Sequence, residues 1–181
     1  NGTLNASAGA TVNMAGASNY NWSGSYTGSG AGKVFLNSTV LTQTPSTTVN
    51  FSAGLFEWIG GAINAHPSRP FINLGSIALA GAATKQLYGP IQNSGTVILK
   101  DSGSFDLVGA PASLDILAGG LFDIQSDADT NFGDINNAGI QRKSDGSGET
   151  NRGAKVNNMG GTSELQRGTL VPGSVTAISA G

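Results

Sequence analysis

A short pattern recurs along the whole chain: a small residue, usually glycine, is followed by apolar residues two and four positions later. The pattern occurs eight times, at intervals of 19 to 25 residues. Side chains at i and i+2 lie on one face of a β-strand, so each unit predicts a strand with a buried face. A period near 21 residues suits one turn of a solenoid whose strands pair from coil to coil. The anchoring small residues are Ala10, Gly32, Gly54, Gly75, Gly95, Gly120, Gly139 and Gly161.

The apolar positions of this repeat predict the core. The eight units define sixteen inward positions, of which thirteen are apolar and three are polar: Gln141, Lys143 and Ser163. Packing in the last coils is therefore expected to depart from the rest. Phe56 and Trp58 share one inward face, which favours a core role over a sugar-binding surface. Further alternating pairs predict a second and a third strand in a coil: Phe105 with Leu107, and Leu114 with Ile116.

Composition agrees with this interpretation. The chain has 28 glycines and only 11% charged residues; glycine and asparagine suit sharp corners and are poor in helix interiors. We therefore predict an all-β fold, a right-handed parallel β-helix (β-solenoid) of about eight coils with ~21 residues per coil. It forms a single domain over residues 1–181. Residues 1–53 are N-terminal coils rich in Ser, Thr, Asn and Gly, with Lys33 as the only charged side chain, and residues 54–181 are regular coils with Asn-x-Gly corners.

Asparagine recurs beside the predicted corners in the second half of the chain. Stacked coils would bring these side chains into register, so that each amide bonds to its equivalent in the next coil. Simple turn propensity is the alternative explanation. The asparagines concerned are Asn73, Asn93, Asn137 and Asn158.

From about residue 54 onward, the order of motifs resembles repeats of large secreted bacterial proteins related to filamentous-haemagglutinin-like and autotransporter-like adhesins. The motifs are FEWIGG at 56–61, NSGTV at 93–97, GLFDIQSD at 120–127, NNAGIQRK at 136–143 and GTSELQRGTL at 161–170. This resemblance covers roughly two thirds of the chain. It implies a β-helix exposed at the cell surface, and it carries no catalytic residue over to this sequence.

Several partners are disfavoured by composition. A formal net charge of −2 and the lack of any Lys/Arg run give no reason to bind nucleic acid. There is no cysteine, which excludes disulfides and Cys-based metal sites. No apolar stretch approaches the ~20 residues of a membrane-spanning helix. Because the chain starts at Asn1 without a signal-like region, we expect a mature product or an excised segment. A secreted or extracellular cell-surface location is what the resemblance to adhesin repeats implies.

The densest group of carboxylates lies between residues 127 and 134. Asp127, Asp129 and Asp134 could supply oxygen ligands for calcium. Their spacing differs from an EF-hand loop, since the glycine is one place late and the distal Glu is missing. A solvated Asp-rich turn is therefore the main expectation, and we predict no cofactor.

Catalysis on a β-helix would need carboxylates, or Asp with Arg or Lys, stacked on one face of neighbouring coils. Asp115 and Asp123 alternate with apolar residues, so they are expected to point outward into solvent. His66 is the only histidine and is expected in a loop. We therefore predict no catalytic residue and no enzyme. The acidic residues that could serve are Asp101, Asp106, Asp115 and Asp123.

The uncharged N-terminal region offers two other candidate features. Tyr20, Trp22 and Tyr26 are set among Gly and Ser, and are candidates for a surface contact with carbohydrate or a partner. Asn-x-Ser/Thr sequons could accept glycans in a secreted chain, although a segment this rich in Asn, Ser and Thr also produces them by chance. The sequons begin at Asn1, Asn5, Asn21, Asn37 and Asn50.

Taken as a whole, the sequence predicts a structural or adhesive extracellular segment. A solenoid leaves unpaired backbone groups at both ends, and no capping helix is evident. Each end is therefore expected to meet adjoining coils of a longer chain or another copy of the same chain, as in a cell-surface filament. The alternative is a carbohydrate-binding or polysaccharide-processing parallel β-helix with a groove along one face.

Overall fold

The molecule is an all-β solenoid of eight stacked coils, described here by a computed structural model that covers residues 1–16 and 19–177. All pairings between its named strands are parallel, and each joins one coil to the next. The predicted β-solenoid is confirmed. Within the described ranges no helix has the length and apolar character needed to cross a membrane.

One sheet, sheet 1, contains one strand from every coil. Each of its eight strands begins one or two residues after a predicted anchor, so all eight repeat units are confirmed. We number the coils 1 to 8 by these strands. They are β2 (Thr11–Met14), β4 (Lys33–Leu36), β6 (Phe56–Trp58), β9 (Ser76–Leu79), β12 (Thr96–Leu99), β15 (Leu121–Ile124), β18 (Ile140–Lys143) and β20 (Thr162–Leu165).

The rest of each coil forms two further flanks, sheet 2 and then sheet 3. In coils 3 to 6 these are separate short strands. Sheet 2 contains β7 (Gly61–Asn64), β10 (Lys85–Tyr88), β13 (Phe105–Leu107) and β16 (Thr130–Asn131), and sheet 3 contains β8 (Phe71–Asn73), β11 (Pro90–Asn93), β14 (Ser113–Ile116) and β17 (Asp134–Asn137). In the other coils one long strand runs through both flanks: β3 (Asn19–Gly28), β5 (Thr39–Phe51), β19 (Glu149–Asn158) and β21 (Thr169–Ala177), with β1 (Gly2–Thr3) paired to β3.

The predicted inward residues of sheet 1 stack in two columns through the molecule. Val34 pairs with Phe56, and Val97 pairs with Ile77 and Phe122 on its two sides. The core assignment of Phe56 and Trp58 is confirmed, because both are fully buried. At the two ends the columns lose their cover: Val12 is 37% exposed and Leu165 is 56% exposed.

Close approach of neighbouring coils explains most of the glycine anchors; Gly54 is the exception, with open space around it and a φ of 77°. A Cβ atom on Gly95 would lie 2.1 Å from the carbonyl oxygen of Gly75, and one on Gly120 would lie 2.2 Å from that of Asn93. Neither glycine has a positive φ. Space between stacked corners, rather than backbone handedness, therefore requires glycine at these positions.

The predicted asparagine ladder forms at one step only. Asn73 Nδ2 donates to Asn93 Oδ1 over 2.8 Å. The next position in this column of sheet 3 is Ile116, which interrupts the ladder before Asn137. The amides of Asn73, Asn93 and Asn137 share a second role, since each donates to a carbonyl oxygen at the start of a sheet 1 strand: Thr96, Leu121 and Thr162.

Candidate functional site

The aromatic residues predicted for an N-terminal surface belong largely to the core. Trp22 is only 6% exposed, so its assignment as a surface contact is wrong. Its ring stacks on Tyr26 with centroids 4.2 Å apart, and it also meets Phe56 at 6.1 Å. Tyr20 packs against the same core, and its hydroxyl donates to Ala15 O. The physical reason is that coil 1 needs large apolar side chains to fill its interior.

The three aspartates that were considered as calcium ligands form hydrogen bonds with separate groups. Asp127 accepts hydrogen bonds from Lys143 Nζ at 2.9 Å and Gly148 N at 3.0 Å, and Asp129 accepts one from Asn151 N at 2.8 Å. Asp134 faces Asn157 Nδ2 at 3.4 Å. In the described part of the chain no group of three or more His, Cys, Asp or Glu side chains is placed to hold a metal ion. Each carboxylate serves a different contact between coils, and both the calcium alternative and the absence of a cofactor stay predictions.

The four aspartates considered for catalysis lie on different surfaces. Asp115 faces outward on sheet 3 and Asp123 faces outward on sheet 1, so these two do not form a pair. Asp123 is nevertheless 4% exposed, which corrects the expectation of a solvated side chain. Asp101 accepts a bond from Gly81 N, and Asp106 accepts one from Asn131 Nδ2.

On the outer face of sheet 1, Glu57 bridges three coils. Its Oε1 accepts bonds from Lys33 Nζ at 2.7 Å and from Lys100 Nζ at 3.0 Å. Lys100 belongs to coil 5 and can reach coil 3 because the intervening outward position is the small Ala78. Burial opposes ionisation of Glu57, but the bonds from both lysines and their charges outweigh it and lower its pKa.

A second ion pair on the same face joins coils 6 and 7. Arg142 donates through Nε to Asp123 Oδ1 at 3.1 Å and through Nη2 to Oδ2 at 2.9 Å, a two-pronged geometry. Burial of Asp123 opposes its ionisation. The bonds from Arg142, Gln125 and Ser144, together with the Arg142 charge, outweigh burial and lower the pKa of Asp123.

Sequence analysis missed a buried lysine in sheet 2. Lys85 is fully buried, and its Nζ donates to the carbonyl oxygens of Gly81 at 3.0 Å and Gly103 at 3.3 Å. Burial lowers the pKa of this amine to about 8, and the charge of Asp101 opposes that shift. The alternation of Lys85 with Leu87 was a signal that could have revealed its inward direction.

Two of the three polar departures predicted for the last coils, Gln141 and Lys143, point into the core as the repeat implied, whereas Ser163 in the last strand of sheet 1 is exposed. Lys143 is fully buried, and its Nζ donates to Ser126 O at 2.6 Å, to Asp127 and to Thr150 Oγ1 at 3.1 Å. Across the interior, Arg152 Nη1 donates to Gln141 Oε1 at 2.8 Å. Burial lowers the pKa of the Arg152 guanidinium to about 10.

The side chains of the sequons occupy varied positions. Asn1 Oδ1 accepts a bond from Ser25 N, Asn5 Oδ1 accepts one from Ser29 N, and Asn37 accepts one from Ser38 Oγ. Asn21 and Asn50 are exposed. Glycan attachment stays a prediction.

His66 is exposed in the turn between sheets 2 and 3 of coil 3, as predicted for a loop residue. Its backbone N–H donates to Gln43 Oε1 at 3.1 Å, and its Nδ1 accepts a bond from Ser68 N. The ring therefore helps to hold its own turn.

The two ends of sheet 1 combine open strand edges with exposed inward side chains. Among the described strands, β2 pairs only with β4, and β20 pairs only with β18. Val12 and Leu165 belong to the core columns yet face solvent there. An unpaired edge beside apolar side chains is a template for another strand.

Comparison with family models, curated proteins and solved structures found no match.

Proposed function

We propose that this chain is a structural or adhesive segment of an extracellular rod, and that its ends dock onto copies of itself or onto adjoining coils. The main support for this proposal is that the acidic side chains form contacts between coils. Most of the 11 acidic side chains accept hydrogen bonds from a different coil. They are Glu57, Asp101, Asp106, Asp115, Asp123, Asp127, Asp129 and Asp134.

These bonds run along the axis of the solenoid, in parallel with the backbone ladders of the three sheets. A carboxylate in one coil meets a donor in another, as Asp115 Oδ1 meets Asn136 Nδ2 at 2.6 Å. Asn157 Nδ2 then continues the row to Asn136 Oδ1 at 2.8 Å. Such rows resist sliding between coils, which is the property that a load-carrying spacer needs. Extracellular placement is supported by the resemblance to adhesin repeats.

The end faces support docking for a geometrical reason. A parallel coil placed on β20 or β2 would continue the strand pairing and cover Leu165 or Val12. A head-to-tail contact of this kind does not close on itself, so repeated docking would produce a filament. The outer face of sheet 1 carries the ion pairs of Glu57 and Asp123, whose charges are already paired within the molecule.

Sedimentation velocity over a range of concentrations, with negative-stain imaging, tests this proposal. Val12→Lys and Leu165→Lys place a charge at an inward end position, where it blocks strand addition. Asn13→Lys and Thr162→Lys place the same charge on the same strands but facing outward, and serve as matched controls. We expect end-to-end association of the unaltered chain and of both controls, and monomers for both inward variants.

Monomeric behaviour of the unaltered chain at all concentrations would exclude docking between copies. Association that persists in both inward variants would show that the contact lies elsewhere. Either result would overturn the docking proposal.

A further inference from the structure

Two aromatic side chains project from the corner between sheets 2 and 3. Tyr88 ends β10 in coil 4 and is exposed. Phe132 follows β16 in coil 6 and is 62% exposed. Two coil steps of ~4.8 Å separate them, so the rings are about 10 Å apart along the axis. They are the two exposed aromatic rings among the described residues, although Tyr88, at 38%, is less exposed than Phe132.

The backbone at Phe132 is in a conformation that bulky residues avoid. Its φ is 59°, in the left-handed region that favours glycine. The ring gains little packing in return, because it points into solvent. Local strain that packing does not explain is a feature of ligand contacts. The strained backbone at Phe132 therefore points to a ligand contact on the surface beside its ring.

A row of hydrogen-bonding side chains runs next to these rings. On the outer face of sheet 2, Gln86 pairs in register with Asp106, and Asp106 pairs with Asn131. Asn131 Nδ2 donates to Asp106 Oδ1 at 2.9 Å, which holds both groups in place. Asn131 directly precedes Phe132, and Gln86 lies two residues before Tyr88, so the polar row and the rings are parallel to the solenoid axis.

We propose that this strip, formed by Tyr88, Phe132, Gln86, Asp106 and Asn131, binds a neutral carbohydrate chain extended along the solenoid. Pyranose rings present C–H faces that pack on aromatic rings, and hydroxyl groups that bond to amides and carboxylates. A purely apolar partner would bury the Asp106 carboxylate with the Asn131 amide as its one bonded donor, which is costly for a charged group. The Asp106 carboxylate disfavours polyanionic chains.

This inference rests on the adhesive part of the proposed function, to which it gives a ligand class. It is independent of the docking of the ends. Loss of sugar binding would leave the sedimentation results of Val12→Lys and Leu165→Lys unchanged, so the two proposals fail separately.

The test is calorimetric and NMR titration of the whole chain with a panel of neutral glucan, mannan and galactan oligosaccharides. Phe132→Gly removes the ring and relieves the backbone, so it is expected to fold at least as stably as the unaltered chain. Tyr88→Ser removes the other ring. Leu74→Ala removes an exposed apolar side chain at a different corner and is the matched control.

We expect at least one oligosaccharide to bind, with chemical-shift changes at Asp106 and Asn131. Phe132→Gly and Tyr88→Ser should each raise its Kd by about tenfold, and Leu74→Ala by less than about twofold. Absence of binding across the panel would overturn the proposal. Binding that both ring variants retain, or that Leu74→Ala weakens equally, would overturn it as well.

Discussion

Coils 3 to 6 and coil 7 share one register and one degree of burial, yet their interiors are chemically different. The inward columns of sheet 1 contain Phe122 and Ile124 in coil 6, and Gln141 and Lys143 at the equivalent positions of coil 7. All four side chains are fully buried. In the interior of coil 7, Lys143 donates a hydrogen bond to Ser126 O, and Arg152 donates one to Gln141.

This difference shows that the stacking of the coils decides which side chains point inward. The polarity of those inward side chains decides how much free energy each coil contributes. Apolar burial stabilises coils 3 to 6 with little dependence on detail. Coil 7 has two unpaired buried nitrogen atoms, Gln141 Nε2 and Arg152 Nε, whereas the described residues of coils 3 to 6 together have one, Trp58 Nε1. Unpaired buried donors cost free energy, so coil 7 and the coil beyond it should open before the middle coils.

The largest effect is expected when apolar volume is removed from coil 6, next to the polar interior of coil 7. Phe122→Ala should lower the free energy of unfolding by about 3–5 kcal/mol, because it leaves a cavity between coils 5 and 7. Urea denaturation measures this. Phe35→Ala, on the half-buried outer face of sheet 1, is the control and should cost far less. Equal costs at the two sites would contradict the assignment of Phe122 to the main core.

A polar-to-apolar replacement tests coil 7 itself. Gln141→Leu should lower the free energy of unfolding by about 1–3 kcal/mol, because Arg152 loses its buried partner. Adding Arg152→Leu should recover that loss, since both polar groups then disappear together. Urea denaturation of the single and double variants provides the comparison. A double variant less stable than the single one would show that the polar interior stabilises coil 7.

Lys85 is the exception within the middle coils, and its pH dependence has a defined sign. Its pKa is about 8 in the folded chain against 10.5 for an ordinary lysine. Between these values the unfolded chain holds more protons, so stability should rise with pH by up to about 3 kcal/mol from this residue. Lys85→Met should be more stable than the unaltered chain at pH 7 and lack the rise. Parallel pH profiles of the free energy of unfolding would contradict this.

The smallest effect concerns the ion pair that joins the two regions. The pKa of Asp123 is below its ordinary 3.8, so its contribution is present above that pH and is lost as pH falls through the folded value. Asp123→Asn should cost about 1 kcal/mol at pH 7 and flatten the acid limb of the stability profile. Asp145→Asn is the control, since its pair with Arg167 is exposed and 3.7 Å long. An acid limb unchanged in Asp123→Asn would refute the role of this pair.

Sequence reasoning went wrong where a side chain's surroundings come from other coils. Trp22 was expected at the surface because Gly and Ser surround it along the chain. Its real neighbours are Tyr26, Phe51 and Phe56, and two of these lie in later coils. Asp123 was correctly expected to point outward, but Arg142 of the next coil covers it. The left-handed backbone of Phe132 has no signature in the sequence, because any residue can precede a glycine.

The sequence by itself determined the number of coils, the position of every sheet 1 strand and the direction of its side chains. These follow from alternation over a few residues, which is a local property of the backbone. Only the tertiary structure decided which polar groups meet: Glu57 with Lys100, Asp123 with Arg142, and Asp106 with Asn131 in the proposed sugar strip. Those contacts join residues about 20 or more positions apart, and the lengths of the corners between coils set their alignment.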